Sequence, residues 1–312
     1  MMNVCKQDEL RLSLSKPSAA LRYLGILGNS YVRPIIRNTR NWWAVYLVYA
    51  GAVPSATIAF KDGGSFELSR DNYSEFLTEI ESLNTIENCP PKGMRRQGNS
   101  ISFSAGKGKR VVSDYRTVTA VANEFASEDH TIMDVKGKTV VDIGAFVGDS
   151  ALYYIIGGGA AKVYAYEPVP SLYELTVSNI RLNSLEKRIA AIRAAASGRN
   201  GTVKIDDGFS HKSVTTKAIS LDSIVKAHKI NNGALKVDCE GCEYDLFSHA
   251  SSAALKAFDA IHVEYHYGYK DIEERLKREG FKVRHTRPRL SYTNMFRNRM
   301  IGGDILATKA TK

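Results

Sequence analysis

The first residues of this 312-residue chain, Met1-Met2-Asn3-Val4-Cys5-Lys6-Gln7-Asp8-Glu9, mix charges and lack the apolar core of an export signal, so secretion is not expected. Cysteine is sparse. Cys5, Cys89, Cys239 and Cys242 are too few to staple a chain of this length, and cytoplasmic residence is the expectation. Residues 42–60 are uncharged and approach the roughly 20 residues that span a bilayer. Gly51, Pro54 and Ser55 interrupt them, however, and the pattern predicts a buried helix, a turn and a strand rather than a transmembrane segment. Acidic residues are missing between Glu279 and Asp304, where Lys282, Arg284, Arg287, Arg289, Arg297 and Arg299 fall. That stretch reads either as a solvated basic loop or as a site for an anionic group.

What is present is ordinary for a folded protein: 44% hydrophobic and 24% charged residues, with a formal charge of +10. Up to about residue 125 the pattern predicts helices over 19–27, 42–50, 72–83 and 118–125. Hairpins are expected around Asp62-Gly63-Gly64 and Ala105-Gly106-Lys107-Gly108-Lys109. From Lys138 onward, strands and helices alternate: strands over 139–143, 163–167, 191–195, 234–238, 260–264, 281–285 and 304–308. Helices are expected over 150–156, 171–182, 221–228, 243–255 and 271–279. Such alternation implies an α/β domain over 126–312, a parallel sheet with helices on both faces, behind an N-terminal α+β extension over 1–125.

The loop over 142–150 follows the first of those strands, where open α/β sheets bind ligands. It reads Asp-x-Gly-x-x-x-Gly, which fails the G-x-G-x-x-G dinucleotide template, and it lacks the Lys-Ser/Thr pair of a phosphate loop. S-adenosylmethionine carries no phosphate and needs neither. Its carboxylate suits exposed amides at a helix start, and its ammonium suits Asp142. Glu167 ends the next strand, 25 residues on, where an acid can accept both ribose hydroxyls. The expected cofactor residues are Asp142, Gly144, Ala145, Gly148, Asp149, Ser150, Glu167, Pro168 and Ala195.

Four stretches, 140–150, 163–168, 235–243 (Leu-Lys-Val-Asp-Cys-Glu-Gly-Cys-Glu) and 261–264, make the chain resemble the FkbM family of methyltransferases over residues 118–309. The resemblance implies a seven-stranded, Rossmann-like class I fold, S-adenosylmethionine as methyl donor, and O-methylation of a hydroxyl on a saccharide, glycolipid or other small molecule. Phe146 stands where that loop often has asparagine, and Cys239 and Cys242 where small apolar residues are usual.

Methyl transfer to a hydroxyl needs an aligned acceptor and a base. The candidates are Asp238 and Glu240 after the fourth strand, and Glu264 and His266 on and after the fifth. Alternation also places His262 on the side of Glu264 and His266, although a core role is expected for it. Glu243 reads as an acid favoured at a helix start, and the cysteine pair as packing under the loop. No metal is expected. An RNA methyltransferase using Tyr292 and Phe296 interleaved with Arg289, Arg297 and Arg299 is the second expectation, and a non-catalytic cofactor-binding protein the third.

Overall fold

A computed structural model describes residues 32–61, 63–88, 90–106, 108–126, 133–206, 213–293 and 298–309. The expected helix over 19–27 lies outside them. The described part opens with α1 (Val32–Asn38) and α2 (Trp42–Ala50), then the hairpin β1 (Ser55–Ala59) and β2 (Ser65–Ser69), and α3 (Tyr73–Asn88). Gly51 ends α2 in the left-handed conformation, with its amide returning to the last turn, as a glycine cap does. Ile35, Val45, Val48, Ile58, Leu68, Phe76 and Ile80 close over one another as a core of their own. The expected buried helix at 42–50 is only half right: Ala44, Val45 and Val48 face this core, whereas Trp42, Trp43 and Leu47 remain exposed. Nothing among the described residues covers the second face.

An antiparallel sheet follows, β3 (Arg95–Gln97), β4 (Ser100–Ser104) and β5 (Arg110–Asp114), leading into α4 (Val118–Ala126). The alternating units then begin: β6 (Thr139–Ile143), α5 (Asp149–Ile156), β7 (Lys162–Tyr166), α6 (Pro170–Leu182) and β8 (Ile189–Ile192). A side sheet comes next, β9 (Ala195–Ser197), β10 (Gly201–Asp206) and β11 (Ser213–Ser220), which the sequence pattern did not signal. The chain continues through α7 (Leu221–His228), β12 (Gly233–Val237), α8 (Cys242–His249), α9 (Ser252–Lys256), β13 (Phe258–Tyr265) and α10 (Lys270–Arg278). It finishes with β14 (Phe281–His285), β15 (Arg289–Thr293) and β16 (Asn298–Lys309). The single helix expected over 243–255 is two, because Ala250 turns extended and Ser251 caps a fresh start by accepting from the Ala254 amide.

The main sheet runs β14-β16-β13-β12-β6-β7-β8, with β15 attached to β16. β6, β7, β8, β12 and β13 are parallel, and β16 runs antiparallel between β13 and β14. This is the seven-stranded class I arrangement that the resemblance implies. Alternation splits its side chains cleanly. Val141, Ile143, Leu235, Val237, Ile261 and Val263 join one core with α7 to α10. Val140, Val163, Ala165, Ala234 and Ala260 join the other. That second core also contains Ile101, Phe103, Val111, Val118 and Val121, so the strands and helix before residue 126 form part of the packing under α5. The third strand ends at Ile192, not Ala195. Ala195 instead begins β9 and pairs with β11 in the side sheet.

Strand order reverses between the parallel neighbours β6 and β12: from β6 the sheet grows through β7 and β8, from β12 through β13. The loops leaving these two adjacent strands therefore meet at the switch point, where a ligand crevice is expected.

Candidate active site at the switch point

The two loops touch through backbone. The Asp238 amide donates to Ile143 O at 3.0 Å. Gly144, at φ +80°, passes so close that a Cβ there would lie 1.7 Å from Asp238 O. Only glycine permits both that conformation and that approach. The first loop is further pinned by α6, where Asn179 donates to Val147 O at 2.8 Å and accepts from the Asp114 amide at 2.9 Å. One buried amide side chain thus ties β5 to the loop, a contact that no sequence motif announces.

On this side the acids are buried and already held. Asp142 is fully buried, and its Oδ2 accepts from Ser150 Oγ at 2.7 Å. Its Oδ1 has no hydrogen-bond partner among the described residues. Glu167 accepts the Phe146 amide at 2.9 Å on one oxygen and the Val169 amide at 2.8 Å on the other. Burial pushes Glu167 up to about 7 despite those amides. Burial, with the Glu124 charge second, raises Asp149 to about 7 as well. The Gly144 and Ala145 amides both donate to Tyr166 O, and Gly148 leads into α5. Pro168 follows Glu167 at the end of β7, whereas Ala195 stands three residues past β8.

Lys236 joins the two sides. It stands in β12 opposite Asp142 of β6 and His262 of β13. Its Nζ donates to Gly144 O at 3.0 Å, 3.6 Å from Asp142 Oδ1 and 3.2 Å from Asp238 Oδ2. Burial opposes its charge, but Asp238 and Asp142 win and hold its pKa well above the ordinary lysine value. Sequence reasoning missed this residue. The signal was there, since a lysine inside the otherwise apolar Ala-Leu-Lys-Val run needs partners to be buried.

Beyond β12 the chain turns through left-handed Glu240 (φ +55°) and Gly241 (φ +115°). That turn brings the Cα atoms of Cys239 and Cys242 to 5.4 Å, and the two cysteines form a disulfide. They do pack on the core below, but the expectation of mere packing is corrected: the bond closes the turn that carries Glu240. Glu243 is the helix-start acid that was expected, with further contacts. It lies in the first turn of α8, yet it is fully buried and accepts the Gly241 amide at 2.9 Å and His266 Nδ1 at 2.8 Å. Its work is to orient His266.

The four expected catalytic residues converge. His266 Nε2 lies 3.5 Å from Glu240 Oε2 and 3.8 Å from Asp238 Oδ1. One ligand atom each of Asp238, Glu264 and His266 lies within 4.8 Å of the others. Burial works against the His266 charge, but the Glu243 hydrogen bond and the surrounding carboxylates push its pKa up to about 9. Desolvation, then the Asp238 charge, pushes Glu264 up to about 7. His262 does not join them. It is buried, with Nε2 3.0 Å from Asp304 Oδ1 on β16, in keeping with the core role expected of it. The side chains of residues 289–300, and with them the aromatic and basic surface expected there, lie outside the described residues.

A mostly parallel sheet in the order β14-β16-β13-β12-β6-β7-β8, whose first and fourth loops meet around a Gly-rich turn, is the class I methyltransferase fold. Residues 142–283 match the family model of the methyltransferase FkbM domain. No curated protein is significantly similar to it in sequence. Among solved structures it is similar to a Pyrococcus horikoshii protein assigned only provisionally as a transferase: 15% identity, 75% of this chain and 84% of that one, TM-score 0.41. It is also similar to M. capricolum TrmK bound to S-adenosylhomocysteine, with 10% identity, 59% and 68% coverage, TM-score 0.40. The M. jannaschii tRNA m1G37 methyltransferase gives 16% identity, 76% and 69% coverage, TM-score 0.39. At these scores the likenesses carry no part of the assignment.

Proposed function

We propose that the chain O-methylates a hydroxyl of a saccharide, glycolipid or other small molecule, with residues 126–312 as catalytic domain and Glu264 as general base. The observation that carries this reading is the Glu243–His266 pair set against three carboxylates beside the Gly-rich loop.

The site suits S-adenosylmethionine on two counts. Asp142 Oδ1 is a buried acceptor without a hydrogen-bond donor, with Lys236 Nζ 3.6 Å away, and it is proposed to face the ammonium end of the donor. The Glu167 carboxylate is fixed by two amides but keeps lone pairs free for ribose hydroxyls. Asp142, Gly144, Ala145, Gly148, Asp149, Ser150, Glu167, Pro168 and Ala195 are the residues proposed to hold it. When bound, it supplies a methyl group on sulfonium sulfur, open to displacement by an oxygen nucleophile.

The protein's part is then to hold the acceptor and take its proton. A base with a pKa near 7 is matched to neutral operation, and Glu264 both has it and reaches solvent. With a pKa of about 9, His266 stays an imidazolium, anchored from behind by Glu243. That charge and Lys236 lie against Asp238 and Glu240, whose oxygens can accept hydrogen bonds from further acceptor hydroxyls. The proton transfer is proposed to run without a metal, and chelators should then leave the rate unchanged.

The test is turnover of isotope-labelled methyl donor against a glycan and glycolipid panel, a hydroxylated-metabolite extract, and tRNA and rRNA. Label recovered as methyl ether on sugar or small-molecule oxygen supports the proposal. Label in RNA alone would replace it with the nucleic-acid reading, and donor binding with no labelled product in any arm with a non-catalytic one.

A further inference from the structure

The N-terminal unit has a surface that the methyl-transfer reading does not use. Between Glu9 and Asp62 the sequence holds no acidic residue, while Arg11, Lys16, Arg22, Arg33, Arg37, Arg40 and Lys61 fall there. The chain's two tryptophans, Trp42 and Trp43, lie in the same stretch.

In the structure the two features lie on the consecutive helices α1 and α2, which pack on the same core. α2 reads Trp-Trp-Ala-Val-Tyr-Leu-Val-Tyr-Ala and has no polar side apart from its tyrosine hydroxyls. At about 100° per residue, Trp42, Trp43, Tyr46, Leu47 and Ala50 span about 140° of its circumference. Trp42 is 41% exposed, Trp43 56% and Leu47 39%, while Ala44, Val45 and Val48 on the other side are buried. Ile36 of α1 adds a fourth exposed apolar side chain at 41%, between exposed Arg33 and Arg37, and exposed Arg40 precedes α2. Arg37 donates to Asn88 Oδ1 at 2.6 Å, and Lys61 Nζ donates to Ile36 O at 3.1 Å, so two cations flank Ile36 on α1.

A surface helix of a water-exposed domain ordinarily turns charged residues outward. One that turns out tryptophan and leucine, with arginine just before it, has the composition of an element lying in a membrane interface. Indole rings there sit at headgroup depth, while guanidinium groups meet anionic headgroups. Among the described residues no helix is long and apolar enough to cross a membrane. At nine residues α2 is about 14 Å long, less than half a bilayer, so contact would be in the membrane plane. We propose that the α1–α2 face docks this enzyme on an anionic lipid surface, with Ile36, Trp42, Trp43 and Leu47 inserted and Arg33, Arg37 and Arg40 on the headgroups.

Because both tryptophans sit on α2, tryptophan emission, excited where the 16 tyrosines do not absorb, reports on it alone. The full chain is mixed with phosphatidylcholine vesicles with and without phosphatidylglycerol, and followed by emission and co-sedimentation. The expected result is a blue shift and binding with phosphatidylglycerol, at least about tenfold weaker on pure phosphatidylcholine, and lost as salt is raised. Leu47→Ser and Arg33→Glu, which leave both reporters in place, should each weaken partition about fivefold to tenfold without changing the thermal melt or donor binding. No shift and no binding to either vesicle overturns the proposal, and so does equal binding to both. Emission already blue and shielded from an aqueous quencher in the lipid-free chain overturns it in favour of cover by the chain's own first residues. A dimer on sedimentation that survives saturating vesicles overturns it in favour of a second copy.

Discussion

The two halves of the active site hold their acids in opposite ways. On the donor side Asp142 is fully buried and Glu167 nearly so, each fixed by Ser150 or by backbone amides. On the acceptor side the Asp238 side chain is 30% exposed and that of Glu240 72% exposed, and they face one histidine. The donor half is a mould for a ligand that never varies, so its carboxylates are immobilised during folding. In the proposed reaction the other half receives the acceptor, and its groups lie close together and partly open to solvent. Lys236 is the bridge, donating to the donor loop while lying against Asp238.

The largest break in that comparison is Glu264→Gln, which keeps the shape and removes the base. Turnover should fall about 100-fold to 10,000-fold, while donor affinity in calorimetry stays within about twofold. A variant with near wild-type turnover would take Glu264 out of catalysis. The pH profile sharpens the point. Wild-type rate should rise as Glu264 ionises around pH 7 and fall as His266 loses its proton around pH 9. Glu243→Gln, which weakens the charge behind His266, should move the alkaline limb down and leave the acid limb in place. The same sign governs stability. The folded-state pKa of His266 lies above its unfolded value, so its contribution is full below about pH 6.5 and lost as pH rises through about 9.

Lys236→Met tests the bridge. It leaves the buried Asp142 and the partly buried Asp238 without their cation, and breaking such a pair costs about 3 kcal/mol. The thermal midpoint should drop, and donor affinity and turnover should fall together, because both loops lose the same anchor. Glu167→Ala is narrower. Donor affinity should weaken about 10-fold to 100-fold through loss of hydrogen bonds to a carboxylate, with less change in turnover at saturating donor. Unchanged affinity would remove the ribose role.

The donor half was legible in the sequence because its requirements are local. A strand, two glycines at fixed spacing and an acid ending the next strand can be read from residues 139–167 without knowing what lies across the sheet. The four acceptor-side candidates were legible for a similar reason, since they stand at or just beyond strand ends. The partners were not. Glu243 looks like a helix-start acid until β13 brings His266 within 2.8 Å of it. Lys236 looks anomalous until β6 supplies Asp142 in register. Asn179 ties β5 to a loop 32 residues before it in the chain. Each depends on pairing between distant segments, which periodicity does not encode. The side sheet β9-β10-β11 was missed for the same reason: β9 pairs with β11, with the β10 strand intervening in sequence. In the N-terminal unit the apolar run of α2 was read correctly as a helix but wrongly as wholly buried, since composition alone does not say that only one side finds a core.

The smallest effect concerns Phe146, at φ +49° in the donor loop, a left-handed conformation that asparagine tolerates and phenylalanine does not favour. Two contacts hold it there: its amide donates to Glu167 at 2.9 Å, and its carbonyl accepts from Thr176 Oγ1 at 2.8 Å. Both are backbone contacts, so they survive a change of side chain. Phe146→Asn should therefore keep the loop and donor affinity within about twofold while relieving backbone strain, with a gain of up to about 1 kcal/mol in denaturant unfolding. Against that gain stands the apolar area of a half-buried ring. A clear loss of stability would show that the ring's packing, rather than the backbone contacts, holds the donor loop in place. The rigid half of the site would then depend on a side chain that its family resemblance marks as unusual.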